Sequence, residues 1–221
     1  MASLAQLIAR FRSTAADTQE PYLFADPEIA DWLDEAQNEA CIRGRLLHES
    51  ANPDVCQITL QGGQSGYPLH PAIYEIDHLA YRAAGASRRA PVRLVSQVWL
   101  DDHLPDWRDR EGDPEYAIQG DTALRLVPAP ITTGLLLLEG YRLPLEPISV
   151  LDRPEIHQAH HFNLVDWALY RGYSRPDSDV MDLERAALHE RAFSAYFGDR
   201  TDSDLRRITR EDGIHHNQAW I

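Results

Sequence analysis

A chain of 221 residues and 25.1 kDa has the length of one large domain or two small ones, enough to bury roughly 70% of its unfolded surface without disulfide staples. Its 43% apolar and 25% charged residues exclude a wholly disordered or collagen-like chain, and no apolar run approaches the ~20 residues that cross a bilayer. Thirty-five acids against 21 basic residues, all arginine, leave a net charge of -14, which argues against gripping a phosphate backbone and removes any Walker-type or Schiff-base lysine.

The first elements are helical. Arg10 and Arg12, with no acid before Asp17, superficially resemble a transit peptide. Ser3 and Gln6 nevertheless form a capping box, and Leu4, Leu7, Ile8 and Phe11 share one face, so a structural amphipathic helix is expected. Asp26 and Pro27 read as N-cap and first helical residue. Ile29, Trp32, Leu33, Ala36, Ala40 and Leu47 recur at three and four residue spacing, predicting a helix over 27–47.

The period then shortens to two at Cys56, Ile58 and Leu60, ahead of the turn-rich stretch from Gly62 to Gly66. Further strands are expected over 73–81, 92–100, 116–118, 122–127 and 134–143, with Pro128, Pro130 and Pro144 at their ends. Short strands separated by turns suggest a compact antiparallel barrel or sandwich. Helical spacing returns over 156–172, and a last helix is expected over 179–197, capped by Asp177 and Ser178 and ended by Gly198.

The expected fold class is therefore α+β: a bundle of N- and C-terminal helices, a small inserted antiparallel β-barrel or sandwich, and an extended C-terminal arm. The divisions fall at 1–53, 54–150, 151–198 and 199–221. Trp32 and Trp167 are expected in or beside the bundle core.

No constellation completes a catalytic motif. His157 and His161 have the spacing of helical zinc ligands, but Gln158 stands where a zincin carries its general base. Ser65 lies among glycines, yet Tyr67 occupies the position where a nucleophile elbow needs glycine. Cys41 and Cys56 are too few for a disulfide framework and read as buried thiols. No metal or other cofactor is expected. The run Asp101, Asp102, Asp106, Asp109, Glu111, Asp113 and Glu115 reads as a solvated loop or as an acidic wall that keeps a polyanion mobile. Beyond Asp199 periodicity is lost. Arg206, Arg207 and Arg210 offer carboxylate partners, and Leu205, Ile208, Ile214, Trp220 and Ile221 offer apolar anchors, so this segment reads as a docking arm.

Three segments resemble a known family. They are EPYLFADPEIADWLDEAQNEACIRGRLL from Glu20 to Leu47, the LRLVPAP passage with the Tyr141, Arg142, Leu143, Pro144 stretch that follows it, and the helical region from Ile156 to Gly198. Together they are similar to the head-to-tail adaptor (connector) proteins of tailed bacteriophages. The resemblance implies a structural virion protein of the neck, with no enzymatic role. It implies a ring, commonly of twelve subunits, that binds the portal protein above and a tail or nozzle protein below and continues the DNA channel. Neither membrane nor sequence-specific nucleic-acid binding is implied. The rival readings are a small metal-dependent hydrolase using His157, His160 and His161 with Asp166, or a cytosolic interaction domain.

Overall fold

The computed structural model describes residues 2–176 and 181–200. It is a mixed α and β structure dividing into two compact units, one formed by 2–48 with 141–200 and the other by 49–140.

The first unit is built from helices α1 (Leu4–Ala15), α2 (Asp26–Gly44), α5 (Ile148–Leu151), a 3-10 turn over Gln158–Asn163, α6 (Leu164–Tyr173) and α7 (Leu183–Phe197). One apolar core joins them: Leu7 and Phe11 from α1, Ile29, Leu33 and Ala36 from α2, Ile148, Leu164, Ala168 and Leu169, and Phe193 from α7. Trp32 and Trp167 pack against this core, each partly buried. Ser3 caps α1 as the sequence suggests, its hydroxyl accepting from the Gln6 N–H while the Gln6 side chain accepts from the Ser3 N–H. At α2 the boundary moves by one residue. Ala25 is the N-cap, Asp26 is already helical, and the Glu28 carboxylate accepts from the Ala25 N–H. The Asp26 carboxylate instead pairs with Arg12.

The helix expected over 156–172 is broken into two windings. Its first part is the 3-10 turn, where the His157 ring accepts from the Ala159 N–H and so acts as N-cap. His161 is buried and tied on both sides, its Nδ1 accepting from the Ala2 N–H at 3.2 Å and its Nε2 lying 3.0 Å from the Ile156 carbonyl oxygen. The local bonds of His157 to the Ala159 N–H and of His161 to the Ile156 carbonyl compete with α-helical winding, which begins at Leu164. The last helix starts at Leu183, where Asp182 accepts from the Glu184 and Arg185 N–H groups. The caps expected at Asp177 and Ser178 lie outside the described residues. Gly198, at φ 89, ends α7.

In the second unit and at its borders run β1 (His48–Glu49), α3 (Pro53–Cys56), β2 (Gln57–Leu60), β3 (Gly66–Pro68), β4 (Ile73–Ala83), β5 (Ala90–Leu94), α4 (Gln97–His103), β6 (Tyr116–Gln119), β7 (Ala123–Val127) and β8 (Gly134–Arg142). Among the described residues the sheet order is β1-β8-β4-β5-β6-β7-β3, with β2 also paired to β8. Leu60, Ile76, Leu79, Leu124, Leu126, Leu136 and Leu138 form its core. Alternation of buried and half-buried residues is clear in β8, as expected for a strand with one face more deeply covered than the other. At Gly140 the chains approach so closely that a Cβ would lie 2.2 Å from the Glu75 carbonyl oxygen.

Two expectations are corrected here. The sheet is not wholly antiparallel, because β5 and β6 run parallel, with Arg93 opposite Tyr116. A parallel pair needs a crossover, and the crossover uses the second half of the strand expected over 92–100. Ser96 caps α4 there, its hydroxyl accepting from the Trp99 N–H at 3.0 Å. The second correction is that β1, β3, α3 and α5 were not apparent as elements from the pattern of residues. They have two to four residues each, too short for a period to register.

Candidate functional site

The histidine cluster does not assemble as a metal centre. Among the described residues no group of three or more His, Cys, Asp or Glu side chains converges as metal ligands would. Both ring nitrogens of His161 are engaged with backbone groups. His160 lies against Tyr196 and Phe197, its Nδ1 3.2 Å from the Tyr196 hydroxyl, and burial, reinforced by His157 and then His161, pulls its pKa down. Asp166 pairs with His189 at 2.8 Å, a partner that the sequence reading did not connect with it.

Ser65 and the cysteines are accounted for structurally. Tyr67, the residue that breaks the elbow motif, pins the glycine loop. Its hydroxyl accepts from the Gln61 N–H, and its single proton has the Gln61 and Gln64 carbonyl oxygens within reach at 3.0 and 2.9 Å. Cys41 and Cys56 are buried and not disulfide-bonded. Burial, with the Glu155 charge adding to it, pushes the Cys41 thiol up to about 12, so it is no nucleophile at neutral pH.

The acidic run is ordered and only partly available. Asp101 accepts from Arg108 at 2.5 Å and from the Trp107 indole N–H at 2.9 Å, and these bonds hold its carboxyl below the usual range. Asp106 is held low in the same way by Arg110, at 2.9 Å. Trp107 is buried with Leu100 and Val127 in a small core of its own, and the guanidinium groups of Arg108 and Arg125 lie 4.3 and 4.7 Å from its ring centroid. The segment is therefore a packed crossover with an acidic exterior. Asp102, Asp109, Glu111, Asp113 and Glu115 are exposed on it.

Two arginine centres in the helical unit escaped the sequence reading. Arg12 is buried at the end of α1 and donates to the Asp17 carboxylate at 2.7 Å and the Phe24 carbonyl at 2.9 Å; it also pairs with Asp26 and lies over the Tyr22 ring at 3.7 Å. It thereby organises the Glu20, Pro21, Tyr22 passage. Arg142 donates to Glu155 at 2.5 Å, and Glu155 also accepts from the Leu145 N–H and donates its own N–H to Gln37. The one available signal was an arginine at an apolar face position, which periodicity reads as an error in the pattern. The proposed arm residues Leu205, Arg206, Arg207, Ile208, Arg210, Ile214, Trp220 and Ile221 lie outside the described residues.

Neither unit thus brings a nucleophile, base and electrophilic pocket together among the described residues; what they present is packed helices, a sheet and charged exteriors. No helix of the described residues is long and apolar enough to cross a membrane. Compared with known families, the sequence matches the one described as SU10 adaptor protein over residues 2–212. No curated protein matches it.

Proposed function

Because the chain belongs to the SU10 adaptor protein family, a family of phage head-to-tail adaptors, we propose that it is a structural component of the virion neck that joins the capsid portal to the tail. The match across residues 2–212 carries this reading, since it spans both units. In it, the helical unit is the bundle and the β unit the small barrel of one subunit, and copies close into a ring, commonly of twelve, by a heterologous contact repeated through rotation. The ring meets the portal protein on one side and a tail or nozzle protein on the other. Residues Asp199 to Ile221 supply the portal-docking arm, with Leu205, Arg206, Arg207, Ile208, Arg210, Ile214, Trp220 and Ile221 as its contacts. Asp102 and Asp109, exposed beside the ion-paired Asp101 and Asp106, contribute to an acidic lining that lets DNA pass without being held.

Quantitative mass spectrometry of purified particles tests this. The protein should be present at the copy number of one ring per particle. Its absence from mature particles, or a stoichiometry unrelated to the portal, would overturn the assignment.

A further inference from the structure

The last turn of α7 rests on the 3-10 turn through a histidine. Tyr196 and Phe197 pack on the His160 ring, with centroids 5.9 and 6.0 Å away. The Tyr196 hydroxyl lies 3.2 Å from His160 Nδ1 and donates to the Ala159 carbonyl at 3.3 Å, so one side chain ties α7 to two successive residues of the turn. With its proton on Ala159, the Tyr196 oxygen can accept from Nδ1–H whether the imidazole is neutral or charged. Phe197 is buried and stacks toward Phe193, 4.6 Å between centroids, which belongs to the helical core. On its other side His160 has the His157 ring, 6.1 Å between centroids, and the buried His161 follows it in the chain.

The charges that act on His160 are those of His157 and His161, which repel a proton there. From α1 it is the Ala2 N–H that comes to this cluster, on His161. On α7 the Glu190 carboxylate bonds Ser194 and the Arg191 guanidinium bonds the Ala187 carbonyl. The α6 carboxylate Asp166 is taken by His189, seven residues or about two turns before Tyr196. A proton on His160 therefore places a cation, partly withdrawn from water, beside two more histidines with no carboxylate to answer it. We propose that His160, with His157 and His161, is a pH-sensitive clasp on the last turn of α7, closed while His160 is neutral and opened by protonation, which drives the ring into water and releases Tyr196 and Phe197. The lowered pKa of His160 has the matching sign. The fold binds this proton less tightly than the unfolded chain does, so the contribution of the clasp is complete above the ordinary histidine value of 6.5 and is lost as pH falls through it toward the lowered one. Arg43 stays charged throughout and holds the same turn from α2 through Ser194 and the Gly198 carbonyl, so the turn loosens while the helix persists. Acid would thus free the base of the segment that begins at Asp199. That consequence rests on the docking-arm reading above, whereas the clasp does not.

The test is amide exchange of the full-length protein between about pH 7.5 and about pH 5, expressed as protection so that the intrinsic pH dependence drops out. It is read at Gly198, whose N–H bonds to the Ser194 carbonyl at 2.8 Å, against Ala36 and Ala40 in the core face of α2. Wild type should lose about threefold or more of its protection at Gly198 across this range while α2 keeps its own. His160→Phe leaves a ring against Tyr196 and Phe197 but no proton to gain, and its protection should stay level. His157→Asn keeps an acceptor for the Ala159 N–H and removes a neighbouring charge, so its loss should come at lower pH than in wild type. Constant protection at Gly198 in wild type, or a loss that His160→Phe shows equally, would overturn the clasp. So would a loss shared equally by Ala36 and Ala40, which would mark acid unfolding of the whole helical unit. Where His160→Phe does not fold, His157→Asn decides, and a midpoint unmoved from wild type overturns the clasp.

Discussion

Arg12 is the residue on which the helical unit turns. Its side chain shares burial with Asp17, whose side chain is 2% exposed, and removing the guanidinium would leave that carboxylate with only the Leu23 and Phe24 N–H groups to answer its charge. Arg12→Ala should cost about 3 to 5 kcal/mol in chemical denaturation, and Asp17→Asn introduced with it should recover part of the loss. A double variant no better than the single would show that Arg12 acts through Phe24 and Tyr22 alone. Asp34 behaves in the opposite sense. Its half-buried carboxyl accepts from the Ile148 N–H at 2.6 Å, yet burial, with Asp31 adding to it, raises its pKa. The fold therefore binds this proton more tightly than the unfolded chain does, and the contribution of Asp34 to stability falls as pH rises from about 4 through the raised value. Asp34→Asn keeps the acceptor and removes the penalty. Its melting temperature should equal or exceed that of wild type at pH 7, with the difference shrinking toward about pH 4; a clearly lower value at pH 7 would contradict the reading.

At the scale of elements, the strongest sequence signals were those backed by two independent rules. The capping box and apolar face of α1 agree, and the helix forms where they place it. Strands β4, β6, β7 and β8 form within the expected stretches or extend them by a residue or two. The segment after Leu94 looked like continued strand because Val95, Val98 and Leu100 suit one; only Ser96 hinted otherwise. Ser96→Ala should therefore loosen α4 by ~1 kcal/mol, read as faster amide exchange around Trp99 and Leu100. Unchanged exchange would mean that Leu100 and Trp107 packing alone holds the helix. In the helical unit, Trp32 meets Phe11 and Phe24 at 6.1 and 5.8 Å between centroids. Being only partly buried, it should lose about 2 to 3 kcal/mol on Trp32→Ala, whereas fully buried Phe11→Ala should lose about 3 to 5. An unchanged melting temperature in both would contradict the packing of α1 on α2.

For the whole molecule, the decisive experiment separates folding from assembly. The Gly198 carbonyl accepts from Arg43, which also bonds Ser194 and Glu39, so the end of α7 is tied to α2 before the chain goes on, and Arg200, itself largely exposed, adds only an ion pair at 3.5 Å to the same Glu39. Truncation after Gly198 should leave the melting temperature nearly unchanged and abolish assembly on the portal, as measured by co-sedimentation. Full assembly by the truncated chain would remove Leu205 to Ile221 from the docking role. Likewise, on the proposed reading the assembled protein should not retain duplex DNA at physiological salt, and Asp102→Arg with Asp109→Arg should create salt-dependent retention. Tight binding by the unmodified protein would sink the acidic lining.

Composition, charge and periodicity by themselves determined the absence of lysine chemistry, the broken catalytic motifs and most helices and strands, because each depends on residue type and near-neighbour spacing; the likeness to adaptors rested on three segments that resemble that family. The tertiary structure alone decided the rest. Whether β5 and β6 run parallel depends on where a crossover packs, and that was settled by Leu100, Trp107 and Val127 meeting across 28 residues of chain. His161 became a buried tie to Ala2, at a separation of 159 residues, and Arg12 a buried hub for Asp17 and Asp26. A hydrogen bond between groups that distant carries no periodic signature. The fold must first bring the two groups together, and only then does the cost of burying them unpaired make the contact binding.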